Sequence, residues 1–204
     1  MEQVLNKKMY ELSKTGEIIQ AILIILGTLL VPTIVPQFLQ LVFGKTSWIA
    51  TNSQIIVGSI VNTALIMTGL NIKGWRKILL IATLPSLSAI GSGYIFGGLS
   101  KVTIFMVPGI WLGNFSIIML MKYFYANKGI KYIFSAIISI VVKTAIIFGV
   151  LNLWMAFSIL PNQGVVASTL RNTMGLIQGL TATIGAVISL LIIKIGFRKK
   201  EKTL

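Results

Sequence analysis

The chain has 204 residues, of which 55% are hydrophobic and 11% are charged, and its mean hydropathy is +0.91. Because soluble domains average about 25% charged residues, this composition excludes a soluble globular protein and predicts an all-α integral membrane protein. The formal net charge is +14, as in many nucleic-acid-binding proteins. The basic residues nevertheless stand at the ends of apolar runs, so nucleic acid is not expected as a partner.

Residues 1–16 mix charged and apolar side chains. Val4, Leu5, Met9 and Leu12 would share one face of a helix. We therefore predict that segment 1–16 is a short amphipathic helix on the cytoplasmic surface of the membrane, in contact with membrane lipids.

Six apolar stretches follow, each long enough to cross about 30 Å of hydrocarbon at about 1.5 Å per residue. Clusters of Gly, Pro, Asn and Lys separate them. The sequence therefore predicts a bundle of six transmembrane helices within a single domain, 17–197. The predicted spans are 17–43, 53–71, 78–97, 103–124, 131–157 and 171–196.

Lysine and arginine residues set the predicted orientation, since short loops rich in these residues stay cytoplasmic. Most of the 18 basic residues fall on the side of the two termini; Lys45, Lys101 and Arg171 fall on the other side, and Lys143 lies within a span. Both termini are therefore predicted in the cytoplasm of a multi-pass protein of the cell membrane. The basic tail 198–204 is predicted to contact anionic lipid headgroups.

Lys143 lies about 12 residues into the fifth predicted span, which puts it near the middle of the bilayer. The carboxylates of the chain are Glu2, Glu11, Glu17 and Glu201, so none lies inside the membrane to pair with it. A buried cation of this kind usually faces a protein interior or a cavity and marks a functional site. It could bind an anionic ligand, or it could snorkel towards one face or be packed without charge.

Other polar side chains fall at similar depth and could form one layer with Lys143. They are Asn62, Ser86, Ser88, Asn114 and Gln178. Asn and Gln provide both donors and acceptors, which suits a small solute, although membrane bundles also use them as hydrogen-bonding contacts between helices.

Nearer the outer surface, the candidates are Tyr94, Trp111, Asn152 and Arg171. Tyr94 and Trp111 could instead be interfacial anchors, whereas Arg171, at the predicted start of the sixth span, would attract an anion together with the helix N-terminus.

Gly175, Gly179, Ala182 and Ala186 repeat at intervals of four, three and four residues in the sixth span. Small residues with this spacing form a stripe where another helix can approach closely. The stripe could meet a helix of the same chain or a partner subunit.

The chain has no Cys, His or Asp. Disulfides, metal sites and the usual catalytic arrangements of membrane enzymes are therefore not expected, and neither is a cofactor. Ser139, one turn before Lys143, could form a Ser–Lys pair, but the spacing alone does not make an enzyme. No complete phosphate-binding loop of an ATPase occurs, so any active transport would need energy from another protein.

The segments GSIVNTALIMTGL, LPSLSAIGSG and VPGIWLGN, together with the compact basic six-span layout, resemble the substrate-binding S component of energy-coupling factor vitamin transporters. The resemblance implies a subunit that captures a small, anionic vitamin or cofactor precursor from outside, with a membrane coupling subunit and two ATP-binding-cassette ATPases as partners. It implies solute contacts at Asn114, Lys143, Asn152, Arg171 and Gln178. The competing interpretations are a non-transporting membrane scaffold and a small channel.

Overall fold

The computed structural model describes residues 14–95 and 99–201. The predicted surface helix 1–16 lies almost entirely outside the described residues, and so does the end of the basic tail, 202–204. Within the described ranges the chain is helical, with no strand, which confirms the all-α prediction.

Nine α-helices are described. They are α1 (Lys14–Phe43), α2 (Trp48–Thr51), α3 (Ser53–Asn71), α4 (Trp75–Ser92), α5 (Ser100–Thr103), α6 (Val107–Leu120), α7 (Tyr132–Ala156), α8 (Gly164–Arg171) and α9 (Ile177–Glu201). A 3-10 turn, Ile104–Met106, leads into α6, and a π-helical segment, Met121–Asn127, extends it. A second π-helical segment, Asn172–Leu176, joins α8 to α9.

Five helical segments of the described chain are long and apolar enough to cross a membrane. They are 15–43, 53–71, 104–127, 132–156 and 164–195. Helix α4 is absent from this set. It has 18 residues and begins with Trp75, Arg76 and Lys77, which lower its hydropathy. The helices of the described chain thus indicate a membrane protein, and α4 is the long helix that falls outside the apolar set.

Helix α3 occupies the centre of the bundle. It packs against α1, α4, α6 and α9, and 61% of its most apolar stretch is buried, compared with 17% for α1. Its fully buried side chains Leu65, Ile66 and Leu70 pack in a core with Ile117 and Ile118 of α6. Helix α1 lies at the periphery, where apolar side chains such as Leu23 and Leu41 are exposed.

Close contact between α3 and α9 depends on glycine. A Cβ atom added at Gly185 would lie 2.7 Å from Cβ of Asn62 and 2.9 Å from the backbone nitrogen of Thr63. A Cβ at Gly58 would lie 2.8 Å from Cγ2 of Thr181. Since real Cβ contacts are longer, only glycine allows these two backbones to approach so closely.

Two of the differences from the predicted helix limits bear on the candidate site. The fourth helix ends at Ser92 rather than residue 97, because Gly93 follows with a positive φ of 69°, a conformation that terminates helices. The last helical segment begins at Gly164 rather than residue 171, because the polar stretch before Arg171 continues the helix. Arg171 therefore lies about 10 Å along the axis from the helix N-terminus, and the N-terminal dipole does not act beside it.

Candidate functional site

One cavity inside the bundle collects most of the polar residues that the sequence predicts at mid-membrane depth. Its volume is about 70 Å³, and α1, α3, α4, α6, α7 and α9 all contribute to its wall. Its polar and proline residues are Pro32, Gln54, Asn62, Pro85, Ser86, Asn114, Lys143 and Gln178. The helices thus bring Asn62, Asn114, Lys143 and Gln178 to one place.

Among the described residues of the cavity wall, Lys143 is the one with an ionisable side chain. It projects from α7 and is 1% exposed. Its ammonium group donates a hydrogen bond to Oδ1 of Asn62 on α3. Ser139, one turn earlier, donates to the carbonyl of Ser135 at 2.7 Å, so this hydroxyl is engaged within its own helix.

Asn62 links three helices at this point. Its Nδ2 donates to the Gly58 carbonyl at 2.8 Å and to Oγ1 of Thr181 on α9 at 3.1 Å. Oγ1 of Thr181 in turn donates to the Gln178 carbonyl at 3.2 Å. This chain of bonds fixes the Asn62 amide so that its oxygen faces Lys143.

The hydrogen bond to Asn62 does not use all the N–H donors of Lys143. An ammonium group has three N–H donors, and among the described residues its bonded acceptor is Asn62. Among its described residues, the wall contains amides and a hydroxyl but no carboxylate. When it is protonated, a buried lysine with spare donors can bind an anion or water in the adjoining space.

The opposite wall is built by α4 and α6. Nδ2 of Asn114 donates to the Ala82 carbonyl at 2.9 Å. Nε1 of Trp111 donates to Oγ of Ser86 at 2.7 Å, and that hydroxyl donates to the Thr83 carbonyl. Trp111 therefore supports the cavity through Ser86. Ser88 does not line this cavity, since its hydroxyl donates to the Leu29 carbonyl on α1.

Three predicted site residues lie elsewhere. Asn152 is exposed and donates to the Phe148 carbonyl of its own helix at 2.8 Å. Arg171 is exposed and donates to the Asn162 carbonyl at 3.3 Å. Tyr94, 41% exposed, lines a different cavity with Gln37, Gln40 and Lys45. These three therefore do not join Lys143 in one site.

The small-residue stripe packs within the chain. A Cβ added at Gly175 would lie 3.1 Å from the Phe148 ring of α7, and one at Gly179 would lie 3.6 Å from Oγ1 of Thr144. Ala182 and Ala186 are buried. The Ala186 carbonyl accepts a hydrogen bond of 2.7 Å from the Tyr132 hydroxyl.

Sequence reasoning missed three residues. Thr181 lies three positions after Gln178, and that helical spacing could have drawn attention to it. Gln54 stands at the start of α3, where a polar residue carries no special signal. Lys122, predicted at the cytoplasmic end of the span 103–124, is fully buried in the π-helical segment Met121–Asn127.

The cavity extends towards one end of the bundle. Gln54 is the second residue of α3, and eight residues separate it from Asn62, a distance of about 12 Å along the helix. Ile95, another wall residue, follows the end of α4.

In comparisons with known proteins, no family model, curated protein or solved structure matches the chain.

Proposed function

We propose that this chain is a membrane-embedded solute-binding subunit that takes an anionic group into the cavity beside Lys143. The observation that carries the proposal is the buried ammonium, bonded to Asn62 and facing a cavity whose wall has no carboxylate. Placing a lysine at the centre of a helix costs about 2.5–3.5 kcal/mol on insertion scales, so a purely structural position would favour an apolar side chain.

The size of the cavity limits the solute. A volume of about 70 Å³ compares with about 30 Å³ for each water in the liquid and about 300–1,000 Å³ for typical drug-sized sites. A small anion, or the carboxylate of a larger molecule, fits this space. A solute of vitamin size would require the surrounding helices to separate, and Pro32 and Pro85 in the wall are positions where helices bend readily.

We further propose six transmembrane helices, with α4 as the additional span and both termini in the cytoplasm. In this orientation Gln54 and Ile95 lie at the outer end of the cavity, so the solute would arrive from outside. The neighbouring cavity lined by Tyr94 and Lys45 would lie on the same side.

In this proposal the subunit is of the S-component type and works with a membrane coupling subunit and two ATP-binding-cassette ATPases. No ATPase motif occurs in the chain, so the energy for import would come from these partners. The solute would be released when the partners rearrange the subunit in the membrane.

The test is to purify the tagged full-length chain from its native membranes in mild detergent. Co-purifying proteins and small molecules are identified by mass spectrometry, and inorganic anions by ion chromatography. We expect the coupling subunit, the ATPases and a bound anion with the wild type. Lys143→Met should retain the proteins and lose the anion, whereas Lys194→Met, at an exposed lysine of α9, should retain both.

Two results would contradict the proposal. An anion retained equally by Lys143→Met would show that Lys143 does not bind it. Recovery of an anion-free oligomer or an unrelated complex would favour a scaffold, in which Lys143 serves only to join α7 to α3.

A further inference from the structure

A groove on the outer surface of the bundle runs between α7 and α9, and we name it the α7–α9 groove. Its volume is about 880 Å³. Val141, Thr144 and Phe148 form one side, and Gly175, Gly179 and Leu180 form the other. The two glycines line this apolar groove where they approach Phe148 and Thr144 of α7.

Arg171 closes one end of this groove. Its side chain is exposed and donates to the Asn162 carbonyl at 3.3 Å, and a guanidinium group has five N–H donors in all. No carboxylate is among the described residues that line the groove.

The length of the groove matches one leaflet of a bilayer. Its lining on this side extends from Arg171, the last residue of α8, to Thr183 of α9, which is about 18 Å of helix. Half of a hydrocarbon core about 30 Å thick is about 15 Å. With Arg171 placed at the membrane surface, as in the orientation proposed above, the apolar groove below it is about as deep as a single acyl chain.

We propose that the α7–α9 groove binds one anionic phospholipid, with its headgroup phosphate on Arg171 and an acyl chain along Gly175 and Gly179. Guanidinium groups bind phosphate oxygens through paired hydrogen bonds, and the apolar wall matches the chain. This site is separate from the cavity at Lys143 and does not depend on the proposed solute. In the orientation proposed above, the lipid belongs to the outer leaflet.

The test uses native mass spectrometry of the full-length chain loaded with phosphatidylglycerol or with phosphatidylcholine of identical acyl chains. We expect the wild type to retain phosphatidylglycerol about fivefold more strongly, the effect of one basic residue near a membrane surface. Arg171→Ala should retain the two lipids equally. Lys45→Ala, which removes an exposed cation outside the groove, should keep the wild-type preference.

A second variant separates the groove from the charge. Gly179→Leu fills the groove while leaving Arg171 in place, and it should reduce retention of both lipids. Its thermal midpoint shows whether it is folded. Equal retention of the two lipids by the wild type, or an unchanged preference in Arg171→Ala, would overturn the proposal.

Discussion

The amide oxygen of Asn62 accepts a hydrogen bond from the ammonium group of Lys143 and so joins α3 to α7 at the centre of the bundle. The residues are 81 positions apart in the chain, and both side chains are buried. The free-energy cost of burying each of these side chains therefore depends on the presence of the other.

Replacing Asn62 by Leu should destabilise the protein more than replacing Lys143 by Met. The first change removes the hydrogen-bond acceptor of the buried Lys143 side chain, which costs about 1.5–3 kcal/mol, or roughly 3–12 °C in the thermal midpoint. The second removes the charge itself. Scanning fluorimetry in detergent measures both, and the double variant should be more stable than Asn62→Leu alone. Strictly additive losses would contradict the coupling.

Gly185→Ala should lower the thermal midpoint, because its new methyl group would lie 2.7 Å from Cβ of Asn62 and 2.9 Å from the Thr63 nitrogen. Overpacking of this kind costs about 1–3 kcal/mol. Gly149→Ala is the matched control. It also lies within a helix but meets no atom within 4 Å, so its midpoint should stay the same or rise slightly. Equal midpoints for the two variants would argue against close α3–α9 packing.

Tyr132→Phe should destabilise the contact between α7 and α9. The change removes the 2.7 Å hydrogen bond to the Ala186 carbonyl, which contributes about 0.5–1.5 kcal/mol. Tyr123→Phe serves as the control, because that side chain is 39% exposed. Chemical unfolding in mixed micelles, followed by tryptophan fluorescence, compares the two; an effect no larger at Tyr132 would show that its hydroxyl contributes little.

The six-span topology can be tested by labelling single cysteines, since the chain has no native Cys. Lys73→Cys and Leu99→Cys flank α4. A spanning α4 puts them on opposite sides, so a membrane-impermeant maleimide applied to intact cells should label position 99 and spare position 73. Lys128→Cys should be spared and Asn162→Cys labelled. The same labelling at 73 and 99 would mean that α4 does not cross.

The depth of a residue in the membrane could be predicted from the sequence. The face of the helix on which the residue lies was not taken into account. Counting residues placed Asn62, Asn114, Lys143 and Gln178 at one level, and the structure brings them to one cavity. Asn152 is nine residues from Lys143, or 2.5 turns at 3.6 residues per turn, which puts it on the opposite face. Its position away from the cavity was therefore available from spacing alone.

Some helix limits and the hydrogen bonds between helices depend on tertiary contacts, which local sequence patterns do not predict. The limits of α3, 53–71, agree with prediction because polar residues flank a clear apolar run. The helix at 164–171 was missed because its Ser, Thr and Arg residues look like a loop, although Ala167 and Leu170 are fully buried. Hydrogen bonds such as Asn62 to Thr181 depend on which helices become neighbours, and composition does not specify that.

The pairing of α3 with α9 also has a consequence for how the protein is made. Asn62 leaves the ribosome 119 residues before its partner Thr181, which corresponds to roughly 6–24 s of synthesis at about 5–20 residues per second. During this interval the polar side chains of α3 and α7 enter the membrane before the last helix can cover them. A nascent chain that stops short of α9 therefore presents an amide in hydrocarbon without its Thr181 partner, so the completed last helix is needed to satisfy the centre of the bundle.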